Sequence, residues 1–224
     1  MKKEIIYLGM AIVLLLSAVI VRAQDKAQAP SFKNGDFWRF KVTVLSKAVG
    51  SSSNLLGDGI YEVSYSSGQF GVFKLNGDQK EELVKNQTGG ILSLIGRKNN
   101  RDLKFPLTVG QKWDYRYERT AVGARKSFQS HVTIEVSGAE QMTTGAGTFR
   151  TFKLEKDDRA GPQGVWTTVS YYSPETKSVV KQLLDSQSGT GTGYKRELEL
   201  VKFGNGRAKL PPQARKPDMK QGRQ

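Results

Sequence analysis

The chain has no cysteine and a single histidine, His131. Without thiols there can be no disulfide, thiolate zinc site, iron–sulfur cluster or cysteine nucleophile. One imidazole excludes multi-histidine metal centres, and a serine nucleophile with a histidine base would have to use His131. Acidic residues are also short, with 21 Asp+Glu against 35 Lys+Arg and a formal net charge of +14. Only 7 of the 224 residues are proline, whereas 24 are glycine, and hydrophobic residues make up 37%. That length suggests one domain or at most two. The composition suits a folded, turn-rich β protein better than a disordered chain.

Long hydrophobic runs are confined to one place. Lys2 and Lys3 precede an uncharged stretch from Ile5 to Val21, and Val21-Arg22-Ala23 then sets small or β-branched residues at −3 and −1 before Gln24. Residues 1–23 therefore read as a signal peptide. Left uncut, the same 17 residues would form a short anchor, and only then would the protein be membrane-bound. No cysteine follows, so lipid attachment of the bacterial lipoprotein kind is chemically excluded. The expected location is the periplasm or the cell exterior, within the bacterial envelope. Loss of residues 1–23 removes Lys2, Lys3, Arg22 and Glu4 and leaves a net +12.

Residues 24–31 show no apolar period and read as a linker. From 32 to 203 the chain alternates apolar and polar residues in short runs separated by Gly, Asn and Ser, the signature of an all-β domain. Trp38, Phe40, Val42 and Val44 share one face of such a run, and Asn76-Gly77 is a strong hairpin turn. Further strands are expected at 60–66, 69–75, 79–85, 90–95, 101–107, 111–121, 126–142, 148–156, 164–173, 178–185 and 194–203, with no amphipathic helix after the signal. Gly35–Lys41 resembles Gly110–Arg116 at an offset of 75, Glu62-Val63-Ser64 resembles Glu135-Val136-Ser137 at 73, and Phe73-Lys74-Leu75 resembles Phe152-Lys153-Leu154 at 79. These landmarks suggest two repeats of ~75 residues, in halves 32–105 and 106–203. The expected fold is a curved antiparallel meander or a partly open β-barrel. Chance likeness between aromatic-rich hairpins is the competing explanation. Residues 204–224 carry six cations against Asp218, are broken by Pro211, Pro212 and Pro217, and read as a basic disordered tail.

Few residues have the pattern of a reaction centre. His131 alternates with Val132 and Ile134 and so falls on the polar face of its strand. Glu81-Glu82 and Asp157-Asp158 are adjacent on strands, point to opposite faces, and read as surface charge. The glycines from Ser188 to Gly193 precede a strand rather than a helix, so they form a hairpin loop and not a phosphate cradle. Asn86-Gln87-Thr88 is a glycosylation sequon by pattern. No base–nucleophile pair emerges from spacing, so no enzyme activity, catalytic residue, metal ligand or cofactor is expected.

The aromatics carry more information. Trp38 and Phe40 head one repeat, and Trp113, Tyr115 and Tyr117 head the other. Large aromatics ordinarily fill β cores. Their sharper reading is a lining for an apolar or amphipathic ligand held by a curved sheet, with Trp38, Phe40, Trp113 and Tyr115 facing it. Trp166 and Tyr172 lie opposite Val165, Val169 and Tyr171, so that strand is covered on both sides or borders a cleft. Export and the lack of a recognition helix argue against nucleic acid. The basic tail either contacts an anionic envelope surface or serves only solubility.

Three segments in order, Phe105–Trp113 (Phe-Pro-Leu-Thr-Val-Gly-Gln-Lys-Trp), Gly145–Phe149 (Gly-Ala-Gly-Thr-Phe) and Tyr171–Glu175 leading to Val179-Val180-Lys181, resemble a group of uncharacterised bacterial exported proteins and lipoproteins. That resemblance covers roughly 105–203 and implies an all-β envelope domain of unknown function. A looser similarity, of architecture alone, is to periplasmic carriers of lipoproteins and lipids. Three function classes follow as expectations: first a binding domain for a lipid-like ligand, second a structural and protein-interaction module of the envelope, and third, least favoured, a hydrolase.

Overall fold

A computed structural model describes residues 26–46, 56–83, 85–120, 127–160, 164–187 and 193–206. The signal segment 1–23, most of the Ser188–Gly193 loop and the tail beyond Gly206 lie outside the described residues. The chain is all-β as expected, with strands β1 (Lys26–Ala27), β2 (Asp36–Ser46), β3 (Gly59–Ser66), β4 (Gln69–Asn76), β5 (Gln79–Glu82), β6 (Leu107–Thr108), β7 (Lys112–Thr120), β8 (Ser127–Thr144), β9 (Gly147–Arg159), β10 (Val165–Ser173), β11 (Ser178–Gln187) and β12 (Gly193–Asn205). Among the described residues, one helix, α1 (Lys85–Leu92), interrupts them.

Ten strands form a single antiparallel sheet in the order β5-β4-β3-β2-β12-β11-β10-β9-β8-β7. It is a meander whose last strand, β12, returns to pair with β2, so β5 and β7 are left as free edges. The sheet is strongly curved but does not close. Its curvature shows where the β8–β9 hairpin reaches β12: Gly145 N donates to Glu199 Oε1 at 2.5 Å and Ala146 N to the Leu200 carbonyl at 3.2 Å.

The inner face follows from the period-2 patterning. Trp38, Phe40 and Val42 of β2, Val63 of β3, Val72 of β4, Val132, Ile134 and Val136 of β8, Leu154 of β9 and Leu198 and Leu200 of β12 are buried together. Cross-strand register places Phe40 opposite Leu200 and Val42 opposite Leu198.

The segment between β5 and β7 covers this face and departs most from expectation. Residues 90–95 are not a strand; α1 runs through Gly89 and Gly90 to Leu92 and is followed by turns. Lys85–Leu92 contains two helix-weakening glycines and no acidic residue in its first turn, so intrinsic propensity does not form it. Burial does: Ile91, Leu94 and Ile95 are fully enclosed in the core. Residues 101–106 are turn and coil, with only Leu107–Thr108 extended. Asn100 holds these turns together, donating to the carbonyls of Ser93 (2.7 Å) and Ile95 (2.9 Å) while Oδ1 accepts from Asp102 N (3.0 Å). Gly96 passes so close to the sheet that a Cβ there would sit 2.8 Å from the Tyr172 hydroxyl and 3.1 Å from the Lys177 carbonyl.

Two chain-end readings also change. Lys26–Ala27 of the expected linker pairs with Leu107–Thr108, and Ala27 is buried. At the other end β12 continues through Asn205, and Gly206 N donates to the Gly35 carbonyl at 3.0 Å. Residues 204 and 205 are therefore sheet rather than tail, and Gly206 is held beside them.

Candidate functional site

Edge strand β7 presents Trp113, Tyr115 and Tyr117 toward the covering segment and exposes Lys112, Asp114 and Arg116 on the opposite face. Among the described residues no strand lies beyond β7, and Trp113 and Tyr115 meet turns 96–106. A cleft of about 480 Å³ remains there, lined chiefly by Lys98, Arg101, Lys104, Phe105, Trp113 and Tyr115. The aromatics are half-buried, whereas the three cations are exposed at the rim.

Asp102 fixes the geometry of this cleft. Its Oδ1 accepts from the Tyr115 hydroxyl at 2.5 Å, and its Oδ2 accepts from Lys156 Nζ at 2.8 Å. The Trp113 indole N–H donates to the Arg101 carbonyl at 3.0 Å, and the Arg101 guanidinium lies 5.8 Å from the Tyr115 ring centroid. Burial, followed by the Asp102 charge and its hydrogen bond, pushes the Tyr115 phenol well above its ordinary value. Tyr115 is therefore a fixed hydrogen-bond donor, not an acid or base at physiological pH. Aromatic walls with a cationic rim can hold an amphipathic anion: apolar area against the rings and negative charge against Lys98, Arg101 and Lys104.

The structure separates the four residues expected to share a ligand face. Trp38 and Phe40 are 2% and 0% exposed and belong to the core. Trp38 also donates its indole N–H to the Thr176 carbonyl at 2.6 Å and meets the Phe32 ring edge-on at 5.7 Å. β2 lies mid-sheet between β3 and β12, and other core residues enclose both side chains. Trp113 and Tyr115 line the cleft. Tyr117 donates to Asp158 Oδ2 at 2.7 Å.

His131 is exposed on the outer face, 3.3 Å from Asp114 Oδ2. Glu81 and Glu82 are exposed on edge strand β5. Asp158 was expected at the surface but is buried, because β9 continues past it to Arg159 and turns it toward Tyr117. Asp157 points outward to Arg159 at 3.4 Å. A broader concavity of about 600 Å³ crosses β7–β10, but its charged lining is chiefly acidic, with Asp114, Glu135, Glu155 and Asp157 beside Lys112 and Lys156. Among the described residues, no three His, Asp or Glu side chains converge as a metal site would require.

Reading 101–107 as a strand obscured Lys98, Arg101, Asp102, Lys104 and Phe105. The available signal was four charges within seven residues, a density that is poor for a paired strand and ordinary for exposed turns.

The sequence matches no known protein family and no curated protein. Among solved structures it is similar to the hypothetical lipoprotein YmcC from Escherichia coli, at 10% identity over 74% of this chain and 84% of that one, with a TM-score of 0.40. It is also similar to a proposed lipoprotein from Parabacteroides distasonis, at 11% identity over 81% of this chain and 100% of that one, with a TM-score of 0.41. A third is a proposed exported protein with a YmcC-like fold from Bacteroides fragilis, at 10% identity over 80% of this chain and 99% of that one, with a TM-score of 0.33. At these scores the likeness is loose, and the functional argument rests on this chain's own residues.

Proposed function

We propose that the protein is an exported, non-catalytic binding domain of the bacterial envelope that holds an amphipathic, lipid-like ligand bearing negative charge. The supporting observation is the β7 cleft, where Phe105, Trp113 and Tyr115 form apolar walls beneath the exposed cations Lys98, Arg101 and Lys104. Apolar contact supplies affinity, while the rim charges attract and orient the anionic end. The signal-like segment 1–23 supports the location, and the same cations would orient the cleft toward an anionic envelope surface.

Native mass spectrometry of protein purified gently from its own envelope fraction tests this reading. The expected result is a stoichiometric adduct of lipid mass that disappears in Trp113→Ala and weakens in Lys98→Ala/Arg101→Ala. An adduct retained by both variants would place the ligand elsewhere. A clean protein mass, with no binding of added phosphatidylglycerol, would overturn the reading in favour of an interaction module.

A further inference from the structure

A second, smaller space of about 160 Å³ lies under the covering segment, between Gly90, Ser93 and Leu103 on one side and the inner face of β8–β12 on the other. Arg196 of β12 is part of its wall. This arginine is 7% exposed. Its Nη2 donates to Gln182 Oε1 at 3.3 Å, whereas its Nε is sealed from solvent with no acceptor.

A buried guanidinium normally has a carboxylate partner, because an uncompensated charge in the interior is costly. Arg196 forms no ion pair with any described residue, and the internal stretches 47–55, 84, 121–126, 161–163 and 188–192 contain no Asp or Glu. Of the phenols beside it, Tyr194 is hydrogen-bonded to Arg196, but burial raises the proton affinity of both Tyr194 and Tyr61, so they stay neutral and supply no counter-charge. Asp58 is also close to those phenols, but it is exposed, accepts from Val44 N at 2.7 Å and forms no ion pair with Arg196. The carboxylate in the cavity wall is Asp102, already engaged by Tyr115 and by Lys156. With Arg196 and Lys156 against Asp102, the wall carries one uncompensated positive charge.

We infer that this cavity is an oxyanion site in which Arg196 receives a carboxylate or phosphate group as its missing counterion. Its fork of N–H donors matches the planar or tetrahedral array of oxygens. The Thr168 and Ser170 hydroxyls line the same space, and the Gln182 amide, which donates to Ser170 Oγ at 3.1 Å, completes a polar wall. The small volume admits the anionic group but not a long chain. This inference does not depend on the β7 cleft.

The test measures melting temperature at constant ionic strength, so that general screening stays fixed. Inorganic phosphate and acetate are compared with dodecyl phosphate and dodecanoate below their micelle concentrations. At least one of these probes should raise Tm saturably, by roughly 5 °C at a hundredfold excess over Kd. A twelve-carbon probe binding at least tenfold tighter than its short counterpart identifies a ligand headgroup; equal affinities identify a free anion. Gln182→Glu keeps the side-chain shape and places a carboxylate beside Arg196. It should melt higher than the parent without added anion and lose the response. Arg101→Ala alters the β7 cleft and should leave intact the part of the response that Gln182→Glu removes. If none of the four probes gives a saturable shift, or if Gln182→Glu still responds fully, Arg196 has no exogenous counterion.

Discussion

Two turns in this protein are nearly the same object with different fates. Before β2, Gly35 has φ +94°, Asp36 N donates to the Lys33 carbonyl at 2.9 Å, and Asp36 Oδ2 accepts from Lys33 N at 2.9 Å. Before β7, Gly110 has φ +84°, Gln111 N donates to the Thr108 carbonyl at 3.1 Å, and Gln111 Oε1 accepts from Thr108 N at 3.1 Å. Each glycine N–H then donates across to the next strand, to Tyr65 O at 2.9 Å or Val136 O at 2.8 Å. Each turn leads to a tryptophan whose indole N–H bonds a distant carbonyl. Only glycine adopts that backbone without strain, and the following Asp or Gln closes the turn through its side-chain oxygen.

The difference lies in what surrounds them. β2 has a strand on both sides and β7 on one. Asp36 sits among groups it can bind: besides Lys33 N, it accepts from Lys177 Nζ at 2.9 Å and Asn205 Nδ2 at 2.7 Å, joining β2, β12 and the β10–β11 turn. Gln111 reaches only the Lys104 carbonyl, through Nε2 at 3.1 Å. One local motif is therefore a structural lock at mid-sheet and one wall of a cleft at the edge.

Substitutions sharpen the contrast. Trp38→Ala should cost about 3–5 kcal/mol, because it empties a fully enclosed site; chemical denaturation measures it, and a loss near 1 kcal/mol would show that β2 is not the core strand described.

Asp36→Asn comes next, at about 2–3 kcal/mol near neutral pH. Desolvation alone would raise the Asp36 carboxyl, but its bonds from Lys33, Lys177 and Asn205 outweigh it and hold the group below the ordinary value of 3.8. The folded form therefore binds its proton less tightly than the unfolded form. The resulting stability is complete above about pH 5 and fades as the pH falls through the carboxylate range. The parent should lose more stability than Asp36→Asn between pH 5 and pH 3, and parallel acid profiles would contradict the assignment.

Trp113→Ala should be mildest for folding, about 1 kcal/mol, because the half-buried ring can be replaced by water. It should abolish amphiphile binding even so. Equal destabilisation by Trp38→Ala and Trp113→Ala would erase the distinction between lock and cleft.

The landmarks that suggest a repeat share their strand order but not their pairing. The matched segments occupy β2, β3 and β4 in one half and β7, β8 and β9 in the other, in the same order. Their pairing differs: Trp38 stands opposite Val63, whereas Trp113 stands opposite Ile134 and not opposite the matching Val136. A slip of two residues keeps every side chain on its original face, so the alternation cannot reveal it. The same limit applies at α1, where Gly89 and Gly90 argue against a helix until the buried Ile91, Leu94 and Ile95 are seen to need one.

The cleft was half legible. Trp113 and Tyr115 stand out by their spacing, but so do Trp38 and Phe40, and nothing local distinguishes the pairs. Arg196 did leave a signal: it shares the period-2 row of Tyr194, Leu198 and Leu200, which sets an arginine on the apolar face of β12 while Lys195, Glu197 and Glu199 take the other. By itself the sequence determined the β class, the alternation that sorts side chains onto two faces, the glycine turns and the excess positive charge, because each depends on neighbours within a few residues. The tertiary structure decided that β12 returns to β2 and leaves β7 as an edge. It also folded residues 85–106 over the inner face and enclosed Arg196 without an ion-pair partner among the described residues. Those outcomes depend on which strands become neighbours, a choice made by burying the whole inner face at once.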